Sequence, residues 1–155
     1  LTQANRKVGR MADVVDSATR SRMMAGIKGR NTRPEVELRK ALHAAGFRYR
    51  LHGGHLPGRP DIVLARWRCA VFVHGCFWHR HKGCRFTTTP ATRPDFWQGK
   101  FSANVARDRR NIDNLRAAGW RVAVVWECSC RSELNKAAAR LARWIRSSRP
   151  FIEIP

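Results

Sequence analysis

The chain has 155 residues and 17.8 kDa, the length of one domain whose core needs no disulfide staples. Apolar residues make up 43%, which excludes a disordered tail, and no run of about 18 apolar residues is present to span a bilayer. Thirty-one Lys and Arg against 11 Asp and Glu leave a net charge of +20, and 25 of those cations are Arg, whose rigid fork suits phosphate. The excess runs 12 to 4 in residues 1–50, 8 to 2 in 51–100 and 11 to 5 in 101–155, so the folded body itself is cationic. Nucleic acid is the expected partner, with an anionic membrane surface or plain solubility as the blander alternative. No apolar stretch of the secretory kind follows the basic N-terminus, so the cytoplasm is the expected compartment.

Residues 1–16 lack periodicity and read as a flexible arm, with Met11 a plausible start point. Residues 17–30 form a weak helix broken by Gly26 and Gly29. The next helix is better signalled: Thr32 can cap it, Pro34 sits in its first turn, and Glu35 and Glu37 favour its positive end. Leu38, Ala41, Leu42 and Ala45 form its apolar stripe and Gly46 stops it. Three strands follow at Phe47–Leu51, Asp61–Ala65 and Cys69–His74, the last two continuous enough to be buried. Residues 75–93 leave the core. A long helix over Pro94–Ala118 carries Phe101, Val105, Ile112 and Leu115 on one face, a buried strand spans Trp120–Glu127, and a last helix covers Ser132–Arg146. The order predicts an α/β protein with a mixed central sheet flanked by helices, a single domain over 17–146 and a C-terminal tail over 147–155.

Inside the excursion, Cys76, His81 and Cys84 are spaced Cys-x4-His-x2-Cys, and Cys128 waits at the end of the Trp120–Glu127 strand. Three thiols and one imidazole have the composition of a structural Zn2+ site, against the alternative of inert buried thiols. Cys130 competes for the fourth place, and Cys69, inside a strand, reads as core.

Asp61 opens a buried strand after Pro57-Gly58-Arg59-Pro60, where it either caps the turn or holds a cation. Glu35 falls in register with the stripe of its helix, and Asp108 lies in the stripe of the long helix, so both point inward and need partners. For Asp108 the bland partner is Arg107 or Arg110. His74 ends a central strand and His79 follows five residues on; each can shuttle a proton, neutralise a phosphate or simply make a structural hydrogen bond. With Asp61 they suggest phosphodiester hydrolysis by a metal-activated water, oxygen ligands selecting Mg2+. Phe77-Trp78 in the braced loop and Trp97 at the start of the long helix suit wedges that unstack bases, or else a satellite core on the metal. Met24, in the weak first helix, can press from the opposite groove, although methionine on a helix usually packs.

LPGRPDIV at 56–63, VHGCFWHRHKGC at 73–84, PATRPDFW at 90–97, NVARDRRNI at 104–112 and GWRVAVVWEC at 119–128 resemble the very short patch repair (Vsr-type) DNA mismatch endonucleases, in order, over about residues 11–146. That resemblance implies a restriction-endonuclease-like core with a zinc-braced loop, and Mg2+-dependent nicking 5′ of the T in T:G mispairs left by deamination of 5-methylcytosine. It implies that Asp61 and the Val73 main-chain carbonyl bind Mg2+, and that His74 and His79 flank the scissile phosphate with His79 the general base. Asp108 would orient that base and Glu35 would be the helix-borne acid near the site. Cys76, His81, Cys84 and Cys128 would be the Zn2+ ligands, which demotes Cys130, and Phe77, Trp78 and Trp97 would enter beside the mismatch.

Two departures accompany the likeness. The broader nuclease class carries acid-x-Lys on the second central strand, where this chain has Val73-His74-Gly75; the Vsr-type subgroup also lacks that pair and usually has Thr at position 73, whose carbonyl valine retains. The zinc loop is also one residue longer, at Lys82-Gly83. The implied partners are duplex DNA carrying T:G and mismatch-repair proteins, with the chain acting as a monomer at the nucleoid. A restriction-type nuclease on matched DNA and a non-catalytic zinc-braced DNA-binding module are the rival readings.

Overall fold

The structure, a computed structural model, describes residues 16–27 and 29–155; the arm proposed for 1–16 lies outside it apart from Asp16. Asp16 caps the first helix, α1 (Ser17–Ala25), by accepting from the Thr19 amide at 2.7 Å, and Gly26 ends it earlier than the sequence pattern suggests. Helix α2 spans Arg33–Ala44, with Pro34 in the first turn and Leu38 and Leu42 fully buried. The strands are β1 (Arg50–Leu51), β2 (Ile62–Leu64) and β3 (Cys69–His74), followed by a short helical turn, α3 (Cys76–His79). Helix α4 (Pro94–Ala117) crosses to β4 (Arg121–Trp126), and α5 (Glu127–Ser132), α6 (Leu134–Ile145) and β5 (Phe151–Ile154) complete the chain.

The five strands lie in chain order, β1-β2-β3-β4-β5. The β1–β2 and β2–β3 pairs are antiparallel, whereas β3–β4 and β4–β5 are parallel, each parallel step needing a helical crossover. The sheet is therefore mixed, with helices on both faces as the sequence predicts. Alternation along β3 divides the core: Cys69 and Val71 pack with α2 and α6 residues Leu38, Leu42, Leu141 and Ile145, while Ala70 and Phe72 pack with Leu115 of α4.

Three features depart from the sequence reading. The residues taken for a tail carry β5, whose register sets Ile154 beside Val125 and buries it to 1%. The strand expected over Phe47–Leu51 pairs only at Arg50–Leu51, because Phe47 turns into the core instead. Val105, expected on the buried stripe of α4, is 44% exposed, since this stretch of the helix passes over the end of the sheet where an open cleft begins. Gly58 shows why the PGRP turn takes its form: φ is +73°, and a Cβ there would stand 2.8 Å from the Asn111 Cβ on α4.

Candidate active site and metal cluster

Asp61 lies one residue before β2, opposite the end of β3. Its Oδ2 accepts the Val73 amide at 2.7 Å, continuing the β2–β3 ladder with a side chain. Burial pushes its carboxyl up to about 7, a rise that the Val73 hydrogen bond opposes and the negative charge of Glu35 reinforces. In a chain with 31 Lys and Arg, no basic side chain forms an ion pair with Asp61 among the described residues. A half-buried carboxylate with no Lys or Arg bonded to it among the described residues, one oxygen committed to an amide, fits a hard cation at its other oxygen better than it fits a turn cap.

Glu35 is 4% exposed, as its helical register predicts, and its oxygens accept from the Asn31 amide at 2.7 Å and the Thr32 hydroxyl at 3.1 Å. Both contacts tie Glu35 back to the two residues that lead into α2, so Glu35 reaches the site through its charge on Asp61.

The two histidines meet. His74 at the end of β3 and His79 at the end of α3 stack with ring centroids 3.9 Å apart and planes 6° from parallel. Two parallel imidazolium rings at that spacing would repel, and burial settles the matter by pushing His74 down to about 3, so His74 is neutral. His79 Nδ1 lies 2.5 Å from Asp108 Oδ2. Asp108 thus finds its inward partner in His79, and Arg107 instead donates to Asn104 at 2.8 Å. In the tautomer that directs Nδ1–H at the carboxylate, the Nε2 lone pair of His79 is left for a proton. His74, His79 and Asp108 line a cleft of about 280 Å³ with Val105, Arg109 and Phe151. Those three polar residues form one compact group; Asp61 and Glu35 stand outside it.

Beside the cleft, Cys76, His81, Cys84 and Cys128 bring their ligand atoms within 4.8 Å of one another. His81 Nδ1 lies 3.6 Å from Cys76 Sγ and 3.4 Å from Cys128 Sγ. A tetrahedral ion with metal–sulfur bonds of about 2.3 Å and metal–nitrogen bonds of about 2.0–2.1 Å has sulfur–nitrogen edges of about 3.6 Å, so the donor set already has the size of such a site. Cys130 is excluded, because α5 turns it into the main core at 2% exposure. Backbone contacts lace the loop together: the Thr87 hydroxyl donates to the carbonyls of Cys76 and His81 at 3.1 and 2.7 Å, and the Asn104 amide donates to the Trp78 carbonyl at 3.2 Å. Glu127, which the sequence reading passed over, accepts the Cys76 amide at 3.3 Å; an acid directly before a candidate ligand was its only signal.

The aromatic residues face each other. Phe77 meets Trp97 and Phe101 edge-on at 5.7 and 5.1 Å, and Trp78 lies 6.1 Å from Trp97. Trp97 is 9% exposed whereas its neighbour Phe96, not singled out in the sequence, is 47% exposed between Arg93 and Lys100. On α1, Met24 is half-buried and Met23 is 60% exposed.

Comparison with known proteins identifies the family. Residues 12–85 match the family model described as DNA mismatch endonuclease Vsr. The chain is 48% identical over 139 residues to DNA mismatch endonuclease Vsr of Escherichia coli, covering 87% of this chain and 88% of that protein. It is 49% identical over 131 residues to the type II nicking enzyme V.XorIIP of Xanthomonas oryzae, covering 84% and 95%. With the nicking enzyme V.NmeAIP of Neisseria meningitidis it shares 40% identity over 144 residues, covering 89% and 99%. Relatives aligned along most of both lengths, at 48% and 49% identity, place this chain, with its histidine–carboxylate pair at the rim of the cleft, in the Vsr family of DNA endonucleases.

Proposed function

We propose that this protein nicks duplex DNA on the 5′ side of the T in T:G mispairs, in a Mg2+-dependent reaction serving very short patch repair, and that its sheet is a restriction-endonuclease-like core. The observation that carries the reading is the His79–Asp108 bond of 2.5 Å beneath the His74 ring at the rim of the cleft. Asp61 and the Val73 carbonyl would hold Mg2+, which when bound polarises the scissile phosphate and activates water. His79, its tautomer fixed by Asp108, takes the proton from the attacking water through Nε2. His74, neutral and wedged against His79, supports the negative charge that develops on the phosphate as a hydrogen-bond donor. Glu35 and Asp61 together make the floor of the site acidic, which favours a divalent ion over a sodium ion.

Cys76, His81, Cys84 and Cys128 would hold Zn2+ with no open position, so its work is to brace the loop that carries His79 and the aromatic rings. Phe77, Trp78 and Trp97 would part on DNA and enter at the soft T:G step, with Met24 pressing from the other groove. Arginines spread over the surface grip phosphates without regard to sequence. The protein works as a monomer on DNA at the bacterial nucleoid in the cytoplasm, alongside mismatch-repair proteins. No helix among the described residues is long and apolar enough to cross a membrane.

The test is a nicking assay on duplexes that carry T:G or C:G at one position, with and without Mg2+, in varied flanking sequences. Mg2+-dependent nicking confined to T:G duplexes is expected. Cleavage of C:G duplexes at the same rate would make it a restriction-type nuclease, and no cleavage of either would leave a DNA-binding module.

A further inference from the structure

Three consecutive residues where β4 passes into α5 reach three parts of the site: Trp126 touches the imidazoles, Glu127 holds the Cys76 amide, and Cys128 joins the thiol cluster. Trp126 stands in the middle of a continuous pile of rings. Its indole lies against His81 at 4.2 Å with planes 6° apart, and meets His74 near edge-on at 5.5 Å and 72°. His74 in turn carries His79. The indole is 6% exposed, and its Nε1–H donates to Glu153 Oε1 at 2.7 Å. Glu153 belongs to β5 and lines the same cleft as His74, His79 and Asp108. Ring-on-ring contact tolerates sliding and in-plane rotation, whereas a hydrogen bond from a ring N–H to a carboxylate fixes both.

We propose that Glu153 is a positioning residue for DNA cleavage: by accepting the Trp126 indole N–H it locks the ring against which His74 packs, and so sets the seat of the stacked His74–His79 pair. The idea rests on the nicking function proposed above. The side chain of Glu153 is not what keeps β5 in the sheet, because the β4–β5 ladder runs over four residue pairs and Ile154 is buried beside Val125. Replacing it therefore perturbs the ring and leaves the fold.

The experiment uses the full chain as Glu153→Ala, Glu153→Gln and Trp126→Phe. One readout is the nitrogen and proton NMR signals of the His74 and His79 rings without DNA or Mg2+. The other is the single-turnover nicking rate on a T:G duplex beside the dissociation constant for that duplex. Glu153→Ala should move the His74 ring signals and slow nicking roughly threefold to tenfold, the range expected for one hydrogen bond, with the dissociation constant within about twofold of wild type. Glu153→Gln, whose amide oxygen accepts the same N–H, should restore both readouts. Trp126→Phe, which keeps a ring and loses the donor, should resemble Glu153→Ala. The proposal is overturned if Glu153→Ala leaves the ring signals in place, if Glu153→Gln is as slow as Glu153→Ala, or if binding changes and the rate does not. A wild-type chain that fails to nick while Glu153→Ala still moves the ring signals refutes the nicking function and supports the seat.

Discussion

Replacing Asp61 by Asn should make the protein more stable and catalytically dead. The wild-type carboxyl is raised from 3.8 to about 7 by burial, and at about 1.36 kcal/mol per unit its ionised form costs roughly 4 kcal/mol in the absence of a cation. Asparagine keeps an oxygen for the Val73 amide and removes the charge, so after allowing for a weaker neutral hydrogen bond the gain is about 2–4 kcal/mol. In a chain of this size that raises Tm by roughly 5–15 °C. The folded protein holds this proton more tightly than the unfolded chain. Wild-type stability therefore falls as pH rises from about 4 to about 7 and this contribution is flat above, while the variant lacks the slope. Magnesium at about ten times its dissociation constant should lift the wild type by about 1.4 kcal/mol and leave Asp61→Asn unmoved. Calorimetry at pH 8 with and without Mg2+, beside a nicking assay on T:G duplexes, measures each term. A variant that is destabilised, that responds to Mg2+ as the wild type does, or that still nicks would refute the assignment of Asp61 as a cation-binding carboxylate.

Asp108→Asn leaves His79 without the acid that fixes its tautomer and should lower the single-turnover nicking rate by about 100-fold at unchanged DNA affinity; an unchanged rate would mean His79 needs no orienting group. Cys128→Ser opens the thiol cluster: bound metal should fall from about one ion per chain to none, and amide exchange across residues 76–93 should accelerate while the β3–β4 amides stay protected. Equal metal content in that variant would show that the cluster is not the binding site. Arg121→Met removes donors to the carbonyls of Trp144, Ile145 and Ser147 at the end of α6 and a guanidinium over the Trp144 ring; it should cost about 2–4 kcal/mol in thermal unfolding and leave nicking at low temperature intact.

Sequence patterning reveals most where burial is continuous. β2, β3 and β4 announce themselves as unbroken apolar runs because both faces of the sheet are covered. Asp108 was legible as an acid on an apolar stripe, yet patterning alone did not give its partner, which only the family resemblance supplied, because His79 arrives from a loop that has no periodicity. The same stripe misleads at Val105, where the helix outruns the sheet and a core position becomes a cleft wall. Spacing alone leaves Cys128 and Cys130 equivalent, and beyond the family resemblance it is the six-residue α5 that separates them, turning one toward the loop and the other into the core. β5 hides because it has four residues and follows directly on a proline-containing turn. For Trp97 the sequence leaves a wedge and a satellite core both open, and the rings of Phe77 and Phe101 against it show only its packing here.

The thiol cluster draws Cys76 and Cys84 from one side of α4 and Cys128 from the other, so it closes only once β4 has docked beside β3. A half-synthesised chain already carries about half of its positive charge, since Arg and Lys are spread along the whole sequence. The loop that carries His79 is tied from the far side of the long helix, by a residue that arrives late in the chain. The late cysteine thus couples the order of that loop to the formation of the parallel half of the sheet.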